Sequence, residues 1–147
     1  MSDRIDGGDN MPGPYAHSLP VGFPSPALEY LKDPLDLGKV LAPRPLSTFY
    51  FFTEGDSMQP VIPEKALLVV DRSLKPKKYD IVVAVLNGEW TVRFILPGEE
   101  QYKLVPANAA YAVTEISVDM DCHVWGVVTK VIIEPKMLQH VCINRLQ

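Results

Sequence analysis

Cysteine is scarce in this chain of 147 residues: there are two, Cys122 and Cys142, and no C-x-x-C pair. That argues against a disulfide framework and against a thiolate zinc site, both of which need several closely spaced cysteines. The three histidines, His17, His123 and His140, do not cluster, so no metal and no cofactor is expected. Long apolar runs are missing. Stretches such as Ala66 to Val70 and Ile81 to Leu86 fall far short of the roughly 20 residues a membrane-spanning helix needs. Met1 to Asn10 holds three aspartates, one arginine and no apolar core, which is not the pattern of a secretory signal. A cytoplasmic location away from membranes is the expectation, and two reduced thiols suit it.

Positive charge is also in short supply. Fourteen Lys and Arg stand against 18 Asp and Glu, for a net charge of −4. A protein that grips DNA directly needs a clustered positive surface. The only basic trio, Lys75, Lys77 and Lys78, reads as a solvated turn, so no direct nucleic-acid binding is expected.

What is present changes texture near residue 46. Residues 1–46 contain eight of the fourteen prolines and five of the nine glycines. Such a segment cannot build a packed core and reads as an arm. Only Ala27 to Lys32 and Asp36 to Leu41 have the composition for short helical turns, with Pro34 separating them. From Ser47 onward, short β-type runs alternate with turn signals. Strands are expected over Thr48 to Thr53, Ala66 to Asp71, Asp80 to Leu86, Glu89 to Leu96, Tyr102 to Val105, Tyr111 to Ile116 and Val124 to Ile133. Asn87-Gly88 between two of them is a strong hairpin signal, because both central residues of a type I′ turn need positive φ. The expected fold is mainly β: a twisted, partly closed antiparallel domain over residues 47–136 behind an extended arm, 1–46. The tail, 137–147, reads as weakly helical or frayed.

One short motif has chemical content. Gly55-Asp56-Ser57-Met58 follows directly on an aromatic strand. A serine after Gly-x at a strand end can stand exposed on a tight turn, with backbone N–H groups nearby to hold an oxyanion. Alone, such a serine is more often a turn or cap residue.

The wider pattern weighs more. G-D-S-M is followed by P-x-I-P-E-x-A-L-L-V-V-D, Y-D-I-V-V-A, N-G-E-W-T-V, L-V-P-A-N and W-G-V-V, and preceded by Gly22-Phe23-Pro24-Ser25-Pro26-Ala27 with Glu29-Tyr30 and Asp36-Leu37. This collinear set, roughly residues 19–133, closely resembles the LexA/UmuD family of self-cleaving Ser/Lys serine proteases, and the arm resembles its UmuD-like members. The resemblance implies a β-domain of the LexA/UmuD C-terminal type. It implies that Ser57 is the nucleophile and that the scissile bond is Val21-Gly22. It further implies a homodimer that serves as accessory subunit of an SOS-induced error-prone translesion DNA polymerase. The expected partners are a RecA filament, which stimulates cleavage, and a UmuC-like Y-family polymerase subunit. The final apolar strand, Val124 to Ile133, is a candidate dimer contact, although core is the better reading for so apolar a strand.

Two positions depart from the family pattern. The general base should be a Lys directly after Thr91-Val92, and the residue there is Arg93. Neutralising a Lys at pH 7 costs about 4.6 kcal/mol from a pKa near 10.4. Burial lowers a Lys pKa by up to roughly 3–5 units. For Arg the same step costs about 7.5–9 kcal/mol, and the guanidinium stays charged. Arg93 is therefore expected to impair or abolish cleavage. Val21, where the family has a small residue, crowds the attacked carbonyl, and Pro20 stiffens its approach.

Three readings stay open: a cleavable protein in which Arg replaces Lys to hold the uncut form, a natural non-cleaving binding subunit, or cleavage by another base such as Lys65 or Lys103. Readings from other classes fit less well. A signal peptidase needs a membrane anchor, a LexA-type repressor needs a DNA-binding domain that residues 1–46 do not resemble, and a plain β-rich interaction module leaves G-F-P-S-P and G-D-S-M unexplained.

Overall fold

The structure, a computed structural model, describes residues 36–146. The chain divides into two units between Pro43 and Arg44. The described part of the first is a single short helix, α1 (Leu37–Leu41). The Asp36 carboxylate caps it by accepting the Lys39 backbone N–H at 3.3 Å. This is the turn expected over Asp36 to Leu41. The one expected over Ala27 to Lys32 lies outside the described residues, as does Val21-Gly22.

The second unit is built on β1 (Thr48–Phe52), β2 (Leu67–Asp71), β3 (Ile81–Leu86), β4 (Glu89–Pro97), β5 (Tyr102–Val105), β6 (Thr114–Ile116) and β7 (Cys122–Ile132). A 3-10 turn at Pro135–Leu138 leads into α2 (Gln139–Leu146), which gives the tail a helical form. All strand pairs are antiparallel, and the seven form one sheet in the order β1-β2-β7-β3-β4-β5-β6. The mainly β expectation holds. The sheet is open, with β1 and β6 at its edges, rather than closed into a barrel. No helix among the described residues is long and apolar enough to cross a membrane.

The hairpin signal sets the register at the centre. Asn87 and Gly88 take φ of 50° and 83°, as a type I′ turn demands. Val83 then faces Val92, and Ile81 faces Phe94. Alternation sends successive side chains to opposite faces, so the sheet carries two cores. Met58, Ile62, Ala66, Leu68, Val70 and Val83 form one, beneath Phe51, Val92 and Trp125. Val82, Ala84, Leu104, Ile116 and Val127 form the other. Because β2 and β3 are covered on both faces, their sequences read as unbroken apolar runs instead of alternating ones.

β7 lies between β2 and β3, pairing with β2 through Val127 to Ile132 and with β3 through Cys122 to Val127. Much of it is core, as its apolar sequence favoured: Gly126 and Val127 are buried, and Val124, Trp125, Val128 and Val131 pack against the two clusters. Gly126 lets it pass close to β2: an added Cβ there would stand 2.7 Å from Val70 Cγ1. Expected and observed strands differ most at β6, which starts at Thr114 and not at Tyr111. The Tyr111 N–H closes a turn onto the Asn108 carbonyl at 3.1 Å, and that turn delays the strand. Lys75, Lys77 and Lys78 are all exposed, as a solvated turn should be.

Candidate active site

Thr53, buried just past the end of β1, fixes both ends of the loop that carries the motif serine. Its N–H donates to the Ala66 carbonyl at 2.9 Å, and its carbonyl accepts the Lys65 N–H at 2.8 Å. Its hydroxyl donates to the Pro63 carbonyl and accepts the Ala66 N–H, at 2.7 and 3.0 Å. Within the loop, Gly55 takes φ of 77°, a left-handed conformation that glycine adopts without strain. Met58 then plunges into the core, 4% exposed, and pins the residue before it. The Gln59 N–H donates to the Asp56 carbonyl and the Ile62 N–H to the Met58 carbonyl. The N–H groups of Ser57 and Met58 have no partner among the described residues. They are donors of the kind an oxyanion hole requires.

A second loop, between β5 and β6, holds the serine turn from outside. The Asn108 N–H donates to the Ser57 carbonyl at 3.0 Å, and its side-chain amide donates to the Asp56 carbonyl at 3.1 Å. The Tyr111 hydroxyl donates to the Asp56 carboxylate. That bond, with the carboxylate charge behind it, holds the phenol proton more tightly and pushes the Tyr111 pKa up.

Arg93 reaches the serine from β4. Its Nη1 donates to Ser57 Oγ at 2.7 Å and to its neighbour Val92's carbonyl, also at 2.7 Å. Burial lowers the Arg93 pKa from its ordinary value, and nearby Tyr111 acts in the opposite direction. A guanidinium starts so high that it remains a cation. Ser57 Oγ therefore accepts from a fixed positive charge, and nothing at this contact can take its proton. Lys65 and Lys103 make no hydrogen bond to Ser57 and do not line the cleft in front of it.

That cleft has a volume of about 480 Å³. Phe51, Phe52, Met58, Trp90 and Val92 supply apolar walls, with Ser57 and Arg93 among the polar lining. Trp90 leans on Phe51 and Trp125, with ring centroids 5.9 and 5.7 Å apart, and is still 58% exposed. Four consecutive residues of β4, Trp90 to Arg93, line the cleft. Alternate side chains of a strand point to opposite faces, so the cleft runs along the edge of β4. That edge is open: β5 pairs only with Phe94 to Pro97.

Ser57 and Arg93, distant in sequence, are thus brought into contact. Asn108, Tyr111 and Trp90 escaped the sequence reading as site residues. Asp56 and Tyr111 are 55 positions apart, and no local pattern links them. Asn108 does sit in the L-V-P-A-N stretch, but nothing in that stretch announces a clamp on the serine turn.

A serine on a tight turn, with N–H donors behind it and an apolar cleft in front, has the layout of a serine peptidase, here with the Arg93 cation in contact with the hydroxyl. The chain belongs to the Peptidase S24-like family, whose sequence profile matches residues 14–129. It is 40% identical to protein SamA of Salmonella typhimurium over 98 residues, 66% of this chain and 69% of SamA. It is 37% identical to protein MucA of Salmonella typhimurium over 122 residues, 82% of this chain and 83% of MucA. A LexA repressor from Sorangium cellulosum is 32% identical over 95 residues, 64% of this chain and 41% of that protein. The resemblance read from the motifs holds at the level of the family.

Proposed function

We propose that this chain is a UmuD-like accessory subunit of an SOS-induced error-prone translesion polymerase, held in its uncut form by Arg93. In this reading residues 1–46 are an arm bearing the Val21-Gly22 bond, 47–136 the peptidase body and 137–147 a tail. Ser57 is the nucleophile position and Arg93 the base position. The protein acts in the cytoplasm as a homodimer, with a RecA filament and a UmuC-like Y-family polymerase as partners. Family membership and the likeness to SamA and MucA support the general role. The observation that carries the uncut state is the Arg93 Nη1 contact to Ser57 Oγ at 2.7 Å. A nucleophilic serine must lose its proton to a neighbour as it attacks. A charged guanidinium has no lone pair to receive it.

A natural binding subunit that has given up cleavage is the second reading, and the same contact favours it. Intact-mass measurement of self-cleavage at alkaline pH tests both, on this chain and on Arg93→Lys. Alkaline conditions supply the neutral lysine without RecA. A cut at Val21-Gly22 in Arg93→Lys alone supports the locked cleavable form. No cut in either chain favours the natural binding subunit, and a cut in both removes Arg93 as the reason for inactivity. The polymerase role is tested separately: the intact chain should support less damage-induced mutagenesis than a version starting at Gly22, and equal support would sink it.

A further inference from the structure

Arg93 has more hydrogen-bonding capacity than the site uses. A guanidinium carries five N–H donors: two on each Nη and one on Nε. Nη1 directs its pair to Ser57 Oγ and the Val92 carbonyl. Among the described residues, Nη2 and Nε have no hydrogen-bond partner, and Arg93 forms no ion pair. The Nε N–H and one Nη2 N–H lie side by side along one edge of the guanidinium, an edge that grips a carboxylate through two parallel bonds. A half-buried cation at an apolar cleft, with its carboxylate-binding edge unoccupied, is a site in want of an anion. The Ser57 and Met58 N–H groups, also without partners among the described residues, lie in the turn that Arg93 touches.

The cleft indicates what kind of anion. Its walls are aromatic and aliphatic, so the carboxylate should belong to a molecule with an apolar body. The open edge of β4 narrows this further. The Ile95 N–H donates to the Asp80 carbonyl and the Ile95 carbonyl accepts the Tyr79 N–H, so odd-numbered residues of β4 face β3. By alternation the main-chain groups of Trp90 and Val92 face outward, where no strand pairs with them among the described residues. An extended peptide can add there as a further strand. Glu54 on the rim is exposed, and solvent screens its charge.

We propose that this cleft binds the C-terminal carboxylate of a peptide chain ending in an apolar residue. The chain lies extended along Trp90 to Val92, its last side chain sits between Phe52 and Trp90, and its carboxylate is held by the Nη2–Nε edge of Arg93. Where a lysine at this position would supply a general base, the arginine makes the cleft a reader of chain ends.

The test is fluorescence polarisation with the full chain and an N-terminally labelled six-residue peptide ending in a free valine carboxylate. The same peptide with a C-terminal amide, and unlabelled phenylacetate as competitor, complete the set. Losing charge-assisted bonds to the carboxylate should weaken binding by roughly ten- to a hundredfold in the amide. Arg93→Gln should lose affinity for the acid to a similar degree and no longer distinguish it from the amide. Trp90→Ala should weaken acid and amide alike, because it removes the wall and not the charge. Thermal unfolding of each variant separates lost binding from lost folding. Phenylacetate should compete far more weakly than the unlabelled peptide. Equal affinity for acid and amide, unchanged binding by a folded Arg93→Gln, no binding at millimolar peptide, or phenylacetate competing as well as the peptide would each overturn the proposal. None of these outcomes bears on whether Arg93→Lys is cleaved, so the two ideas fail independently.

Discussion

Two buried or half-buried charges in the body of this protein have opposite surroundings. Asp71, at the end of β2, has a side chain 3% exposed and is fully engaged. Its carboxylate accepts from Arg44 Nε at 2.7 Å, from the Ser73 hydroxyl at 2.6 Å and from the Ser73 N–H at 2.8 Å. Burial alone would raise its pKa, but the hydrogen bonds from Ser73 and Arg44 outweigh burial and hold it well below the usual carboxylate range. Arg93 is half-buried, donates through one nitrogen and leaves the rest of its fork without partners among the described residues. The satisfied charge stabilises: it ties the start of the body, at Arg44, to the sheet. The unsatisfied one contributes little to stability and is available for chemistry or binding.

That contrast can be broken by experiment. The largest effect belongs to the chemistry. The gap between neutralising Lys and Arg is about 3 kcal/mol, so self-cleavage of Arg93→Lys at alkaline pH should exceed the parent's by roughly a hundredfold. Intact mass over a time course reads this directly, and matching rates would show that base strength at this position does not set the rate. Next comes stability. Asp71→Ala leaves Arg44 and Ser73 without their acceptor and should cost roughly 2–3 kcal/mol in urea unfolding. A loss under about 0.5 kcal/mol would mean the network is ornamental.

The acid limb of the stability curve sharpens the same point. Asp71 has a folded pKa below its unfolded value, which is near 3.9. Its contribution is therefore complete above the unfolded value and fades as pH falls below about 4 towards the folded one. The stability of Asp71→Asn should fall less steeply than the parent's below about pH 4, and parallel curves would contradict the assignment. The smallest effect is expected at the other charge. Arg93→Met should change unfolding free energy by about 0.5 kcal/mol or less, in either direction. A penalty as large as that of Asp71→Ala would erase the distinction between the two sites.

Much of this was legible in the sequence wherever the signal was local. Asn87-Gly88 announced its hairpin because positive φ at two adjacent residues is a demand few residue pairs meet. The apolar runs of β2 and β3 were recognisable as strands, whereas their burial on both faces emerged only from the packing of the two cores. Strand order was less accessible, since the insertion of β7 between β2 and β3 depends on pairings far apart in the chain. The approach of Arg93 to Ser57 was legible only through family motifs, because 36 residues separate them. The clamp of Asn108 and Tyr111 on the serine turn was not legible at all. Tyr111 read as a strand residue, and only the turn at Asn108 turns its hydroxyl towards Asp56.

The position of β7 has a consequence for how the chain is made. β1 and β2 form one pair, and β3 to β6 form a meander, but β2 and β3 never touch through a ladder of their own. A ribosome releases both pieces before residues 122–132 have left it. During that interval the inner edges of β2 and β3 are two unpaired templates, and the cores on both faces are incomplete. The last strand to be synthesised closes both at once, so the final step of sheet assembly is long-range and belongs among the slow ones. Until then the nascent body is two half-sheets exposed to aggregation, and a chain cut short before β7 would remain so.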